Sequence, residues 1–379
     1  MSVLKSVLKM IVGLLIGVIA GLLIAAVGIV CFTDTSFMEF ISKLRSTSFL
    51  DTMVAAGFGV LMFALSSAIL ISLHEAGHLV CGLLSGYRFV SFRIFNLTFL
   101  KINGKLRVKR YSIAGTGGQC LLSPPDLAVE KIPTGLYNFG GVLSNIIAVI
   151  AVAPLLMVNN PFVKEAVVIF MLVGVLLILM NGIPMKISGS GNDAYNMLAL
   201  KKNKLAKRGL VEALWANALI QSGVRPKDMP ESWFVVPDGI NYSDQLETSI
   251  PMMAASRLVD EMKFPEALVS YEQLYSHREE IIGLYVKEIE CELVFLRLVS
   301  GETDKAKELL TPGLTKYIET YRNVMSSKQR ILCAMALFID NNREKAIGIY
   351  DNLLRTKKDY LLQGEVKSDL SIMKSILLL

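Results

Sequence analysis

The first half of the chain alternates long uncharged runs with charged intervals, and the second half loses that alternation. Residues 10–33, 52–74, 132–163 and 166–185 contain no Asp, Glu, Lys or Arg. Each run reaches or exceeds the roughly 20 residues an α-helix needs to cross a bilayer. The pattern predicts four membrane-crossing helices. From about residue 200 onward charges return at ordinary density. The expected fold is mainly α: a polytopic membrane helix bundle, then a soluble helical domain. Residues 1–50 form an N-terminal anchor helix and external loop, 51–200 the membrane core, and 201–379 a cytoplasmic α-helical domain.

Composition agrees, with 53% hydrophobic residues and a mean hydropathy of +0.50, more apolar than a soluble chain of this size needs. The first run follows Lys5 and Lys9, but Met10 to Phe32 is too long for the apolar region of a signal peptide, so it reads as a retained anchor. Its Gly13, Gly17 and Gly21 lie four apart, a spacing that lets helices pack closely. Positive charge sets the orientation. Lys5 and Lys9 precede the first helix, Arg88, Arg93, Lys101, Lys105, Arg107, Lys109, Arg110 and Lys131 follow the second, and Lys186, Lys201, Lys202, Lys204, Lys207 and Arg208 follow the fourth. The loop 34–51 has only Lys43 and Arg45, and the turn near 159–165 only Lys164. The positive-inside rule then gives a multi-pass protein of the cell membrane with both termini in the cytoplasm. Those loops account for the net charge of +6, so no nucleic-acid partner is needed to explain it. The five cysteines contain no C-x-x-C pair and point to a reducing compartment without disulfides.

"LHEAGHLVCG", residues 73–82, puts ionisable groups at the end of an uncharged run. Such groups are costly there and tend to be present for function. On a helix His74 and His78 project from one face at a spacing that lets both bind one metal ion. Glu75, beside them, is placed to take the proton of a water held by that ion. The other reading is a pair of histidines hydrogen-bonded inside a bundle. A catalytic zinc site needs a third protein ligand. "LMNGIPMKISGSGNDAYNML", residues 179–198, breaks the fourth helix at Asn181 and Pro184 and returns with Asp193 from the same side of the membrane. Asp193 could otherwise serve as a helix cap. Cys81 is a rival ligand, ranked lower because three ligands on one straight helix span too much length to converge on one ion.

These residues resemble the site-2 protease family of intramembrane zinc metalloproteases, over roughly residues 52–200. Three motifs carry the resemblance: His74-Glu75-Ala76-Gly77-His78; "GGVLSN", 140–145, similar to a G-P-x-x-N motif with Val142 at the proline position; and Asn181-x-x-Pro184 followed by Asn192-Asp193. The last is similar to an N-x-x-P…D-G segment with Ala194 at the glycine position and a longer Pro-to-Asp spacing than many members. The resemblance implies that His74, His78 and Asp193 bind Zn2+ and that Glu75 is the general base. Asn145 and Asn181 would hydrogen-bond the backbone of an unwound substrate.

Between the second and third helices, Asn103-Gly104 is a strong hairpin signal between β-branched and aromatic runs. "AGTGGQC", 114–120, reads as a glycine-rich approach, and its Gly118 is counted with Asn145 and Asn181 as substrate-binding. A hairpin edge there could hold an extended peptide by strand addition. In the soluble part Ala267, Ala306 and Ala346 recur at intervals of 39 and 40 residues on apolar helical faces, similar to tetratricopeptide-like helix pairs. Residues 222–239 read as the connecting loop.

The leading expectation is a zinc endopeptidase cutting membrane-spanning or signal-peptide-like substrates near the cytoplasmic face, with the helical domain as a docking surface for a cytoplasmic partner. The alternative is a catalytically inactive scaffold that recruits partners through that domain. A transporter ranks below both, because the ionisable cluster has metal-ligand spacing and traces no path across a bilayer.

Overall fold

The computed structural model describes residues 48–102, 105–110, 117–187 and 189–378. The first predicted crossing (10–33), the Asn103-Gly104 turn and residues 114–116 of the glycine-rich approach lie outside the described residues. The molecule is mainly helical, with thirteen α-helices among the described residues, a four-stranded antiparallel sheet and a two-stranded one.

Helix α1 (Phe49–Leu84) is capped by Ser48, whose side chain accepts from the Asp51 amide. Its 36 residues span about 54 Å at 1.5 Å per residue, well beyond the bilayer's hydrocarbon thickness. The His-Glu pair therefore sits near its C-terminal end. Helix α2 (Gly135–Val152) continues as a 3-10 turn to Met157. Asn160 then caps helix α3 (Pro161–Gly182) through the amides of Phe162 and Val163. Among the described residues, three segments are long and apolar enough to cross a membrane: Met53–Leu84, Val129–Met157 and Pro161–Gly182.

Their shared core is small, built on Leu70, Ile169 and Val173. Val60, Leu61, Phe63, Leu65 and Ile69 instead face outward, each 43% or more exposed. An apolar surface this continuous is what lipid covers.

Between α1 and α2 the chain forms strands β1 (Arg88–Ile94), β2 (Leu97–Ile102), β3 (Lys105–Arg110) and β4 (Gly118–Ser123), in the spatial order β3-β2-β1-β4. The expected hairpin is thus two strands of a larger sheet. Gln119 to Ser123, read as part of a flexible approach or left unassigned, pair with β1 instead, Phe92 opposite Cys120 and Phe89 opposite Leu122. The short strands β5 (Lys186–Ile187) and β6 (Ser190–Gly191) lead into α4 (Asp193–Lys202) and α5 (Lys204–Ser222).

Helix α5 is the joint of the molecule. Val211 and Leu214 pack into one cluster with Tyr87, Leu122 and Tyr137, and Trp215 Nε1 donates to the Pro124 carbonyl at 3.2 Å. Residues 222–239 hold two 3-10 turns, Pro226–Asp228 and Glu231–Phe234, and otherwise connect as expected. The rest is helical: α6 (Gln245–Asp260), α7 (Phe264–Ser276), α8 (Gly283–Val299), α9 (Thr303–Leu309), α10 (Pro312–Tyr321), α11 (Ser326–Phe338), α12 (Arg343–Thr356) and α13 (Gln363–Ile376). Ala267, Ala306 and Ala346 are fully buried in one core around Phe295 and Leu296.

Candidate metal centre

His74 and His78 lie one turn apart on α1, and their Nε2 atoms are 3.2 Å from each other. Asp193 Oδ2 is 3.0 Å from His74 Nε2 and 3.4 Å from His78 Nε2. The three residues form a group that can hold a metal ion. Ligands about 2.0–2.1 Å from a tetrahedral zinc stand about 3.3 Å apart. The triangle has that size.

The hydrogen bonds around the triangle decide where the lone pairs point. His78 Nδ1 is 2.8 Å from the Tyr137 carbonyl, which only accepts, so Nδ1 carries the proton. In the neutral ring, Nε2 is then a bare acceptor. On the other ring, His74 Nδ1 is 3.3 Å from Asn145 Nδ2, while Asn145 Oδ1 is buried without a partner. With the amide turned end for end, Oδ1 accepts a hydrogen bond from a His74 Nδ1–H. That tautomer also leaves His74 Nε2 a bare acceptor. Asp193 Oδ2 is itself buried without a hydrogen-bond donor. In that arrangement three acceptors meet with no donor among them, which is costly to bury unless a cation lies between. The donor set fits a metal ion on the chemistry of its own atoms.

Asp193 reaches this place because it is not the helix cap. Asn192 is the cap of α4, accepting from the Tyr195 amide at 3.0 Å and the Met185 amide at 3.2 Å. Its Nδ2 donates to the Met180 and Ile183 carbonyls at 2.7 and 2.6 Å, groups freed where Pro184 ends α3. Asn192 thus ties the broken helix end to the next helix start and leaves the adjacent carboxylate free to face the histidines.

Glycines make room for the cluster. A Cβ on Gly141 would stand 2.5 Å from His74 Nε2 and 2.6 Å from His78 Nε2. One on Gly118 would stand 2.4 Å from Glu75 Cγ. Strand β4 therefore packs close against Glu75, and among the described residues it pairs with β1 alone. Gly77 and Gly140 let α1 and α2 touch backbone to backbone, since an added Cβ on Gly77 would lie 2.2 Å from the Gly140 carbonyl oxygen.

Of the residues singled out from sequence, His74, His78 and Asp193 come together, Glu75 lies beside them outside the ligand group, and Gly118 borders Glu75. Asn145 is fully buried beneath His74. Asn181 Nδ2 donates to the Leu177 carbonyl of its own helix at 3.1 Å. Cys81 is buried within van der Waals reach of Gly140 and is not part of the group. Sequence reasoning missed Tyr137, Gly141 and the bracing by Asn192. Tyr137 holds two things at once, His78 through its carbonyl and the Cys120 carbonyl of β4 through its hydroxyl at 3.0 Å. Gly141 lies inside the quoted "GGVLSN", where its closeness to the two helix-borne histidines has no local signal.

No protein-family model, curated protein or solved structure matches the chain.

Proposed function

We propose that the protein is an intramembrane zinc metalloprotease, of the kind the site-2 protease motifs suggest. In this reading it hydrolyses peptide bonds of membrane-spanning or signal-peptide-like substrates near the cytoplasmic face. The observation that carries the reading is the donor-free triangle of His74, His78 and Asp193 with Glu75 next to it, at the end of a helix apolar enough to cross a membrane. Bound in such a site, a zinc ion with three protein ligands and an open position lowers the pKa of a water to about 7 and polarises a carbonyl.

The chain's own residues do the rest. Glu75 accepts the proton of the attacking water and returns it to the departing amide nitrogen, the double role of a general acid–base. Tyr137 and Asn145 hold the two imidazoles in one tautomer. A helical substrate hides its peptide bonds, so it must unwind before it is cut. The unpaired edge of β4 offers strand pairing to the unwound segment, on a strand whose Gly118 packs against Glu75.

The test separates chemistry from binding. Glu75→Gln keeps the shape of the side chain and removes the base. The purified variant should retain its zinc while substrate cleavage in membranes falls on the order of 100- to 10,000-fold. Undiminished cleavage removes the protease assignment, and joint loss of zinc and activity makes Glu75 a metal-supporting residue. Asp193→Asn should lower both zinc content and cleavage, while Cys81→Ser leaves both near the wild-type level; the reverse pattern would exchange the two residues' roles.

A further inference from the structure

Away from the metal triangle, helices α5, α6, α7, α8, α11 and α13 line an open groove of about 390 Å³. Its polar wall carries an excess of negative charge. Glu288, Glu292, Glu365 and Asp369 line it, and among the described residues the cations that pair with them are Lys328 and Arg330. Lys328 is committed to Glu288 at 2.6 Å. Arg330 gives Nε to Asp369 at 2.7 Å and Nη2 to both oxygens of Glu292 at 2.8 Å. Two features of this wall are unfinished. Arg330 is 2% exposed, yet its Nη1 has no partner. Glu365 makes no hydrogen bond and no ion pair among the described residues. Met252, Met253, Tyr271 and Phe234 also line the groove and give it apolar surface.

A buried guanidinium donor without an acceptor calls for a carbonyl, and a carboxyl kept protonated by burial and facing carboxylates gives up its proton readily when a cation arrives beside it. Methionine and aromatic walls accept the aliphatic stem of a long basic side chain. A peptide with a lysine or arginine among apolar residues presents all three. We propose that this groove is a binding site for such a basic peptide segment, supplied by the cytoplasmic flank of a membrane-spanning substrate. Cytoplasmic flanks of membrane spans are rich in Lys and Arg, which is the required chemistry. Helix α5 lines the groove with Ala213, Ala216 and Asn217 and packs Val211 and Leu214 against Leu122 of β4. One helix, about 10 Å across, thus separates the groove from the strand that borders Glu75. Assigning the segment to a substrate rests on the protease reading; the existence of a basic-peptide site does not.

The experiment uses full-length protein in detergent and a short fluorescent peptide carrying two lysines among leucines and phenylalanines. Matched peptides carry acetyl-lysine or glutamate instead. The assay is run near pH 8. Burial, with Asp369, Glu288 and Glu292 facing it and only partly offset by Lys328, pushes the Glu365 carboxyl up to about 8. The lysine peptide should bind at least about tenfold more tightly than either control. Glu365→Gln should abolish most of that preference. Ser256→Lys puts a cation at an exposed position on the groove wall and should do the same without touching the buried pairs. Equal binding of all three peptides, or lysine-peptide affinity unchanged in Ser256→Lys, overturns the proposal. Repeating the titration on Glu75→Gln separates the two readings: preserved binding there, whatever the outcome for cleavage, leaves the groove assignment standing by itself.

Discussion

Gly141 sits where no other residue fits the triangle, because a Cβ would press on the Nε2 atoms of His74 and His78 at 2.5–2.6 Å. Gly141→Ala should lower zinc content in purified protein while α-helical content by circular dichroism stays near wild type. Unchanged zinc content would mean that the histidines have room to shift. Asn145 acts through His74, so the acceptor is what matters. Asn145→Leu should weaken metal binding about 10- to 100-fold, the usual cost of losing such a partner, whereas Asn145→Asp keeps an acceptor and most of the affinity. Equal losses in both variants would assign Asn145 to packing. Glu365 supports a pH prediction. Burial raises its folded-state pKa from 4.5 to about 8. Its contribution is fully present below the unfolded value and is lost as pH rises through about 8, because the unfolded chain ionises first. Glu365→Gln cannot ionise, so its melting temperature should gain on the wild type between about pH 5 and 8. A difference independent of pH would contradict the shift.

Helices α1 and α2 approach so closely because glycine faces glycine. An added Cβ on Gly140 would stand 2.5 Å from the Gly77 carbonyl oxygen and 2.8 Å from Cys81 Cβ. The contact also sets the candidate metal centre, since Gly77 lies between the histidines on α1 and Gly140 precedes Gly141 on α2. Gly77→Val overpacks this seam, which typically costs about 1–3 kcal/mol. It should lower resistance to unfolding in mild detergent and release metal together. Loss of stability with full metal retention would show that seam and site are separable. Strand β4 is held from three sides: by β1 through the ladder, by Tyr137 through the Cys120 carbonyl, and by α5 through Leu122 and the Trp215–Pro124 hydrogen bond. That bracing keeps a short strand rigid against Glu75.

At the scale of the molecule, three apolar segments and a charged helical half are joined through α5 and the sheet. Lys109 Nζ reaches the Tyr360 carbonyl at 3.2 Å and the Lys358 carbonyl, so the sheet also touches the far end of the helical domain. The charge pattern of the loops leads to a topology test. Reporters fused after Lys9 and after Leu379 should both report cytoplasm, and one inserted near Asn159 should report the outside. A translocated C-terminus would overturn the multi-pass reading with both ends inside, and would separate the helical domain from the face on which cleavage is proposed.

Local periodicity made part of this legible in the sequence. A helix repeats every 3.6 residues, so the four-residue spacing of His74 and His78 determined that they share a face, and uncharged runs of sufficient length determined the apolar helices. The return of Asp193 was readable because Pro184 must end a helix and the chain then has few places to go. The partners of those residues were not readable. Tyr137 and Asn145 reach the histidines from another helix, and a carbonyl–imidazole contact leaves no pattern along either segment. Gln119 to Ser123 carry no strand signal strong enough to stand out after a glycine-rich stretch, and they become a strand because β1 offers unpaired hydrogen-bonding groups beside them. The groove draws its walls from six helices separated along the chain, and the unpaired state of Glu365 and of Arg330 Nη1 exists only once those helices pack. Spacing along one element is a property of the sequence; which lone pairs and charges are left without partners is decided by the tertiary structure, because it depends on every element that arrives.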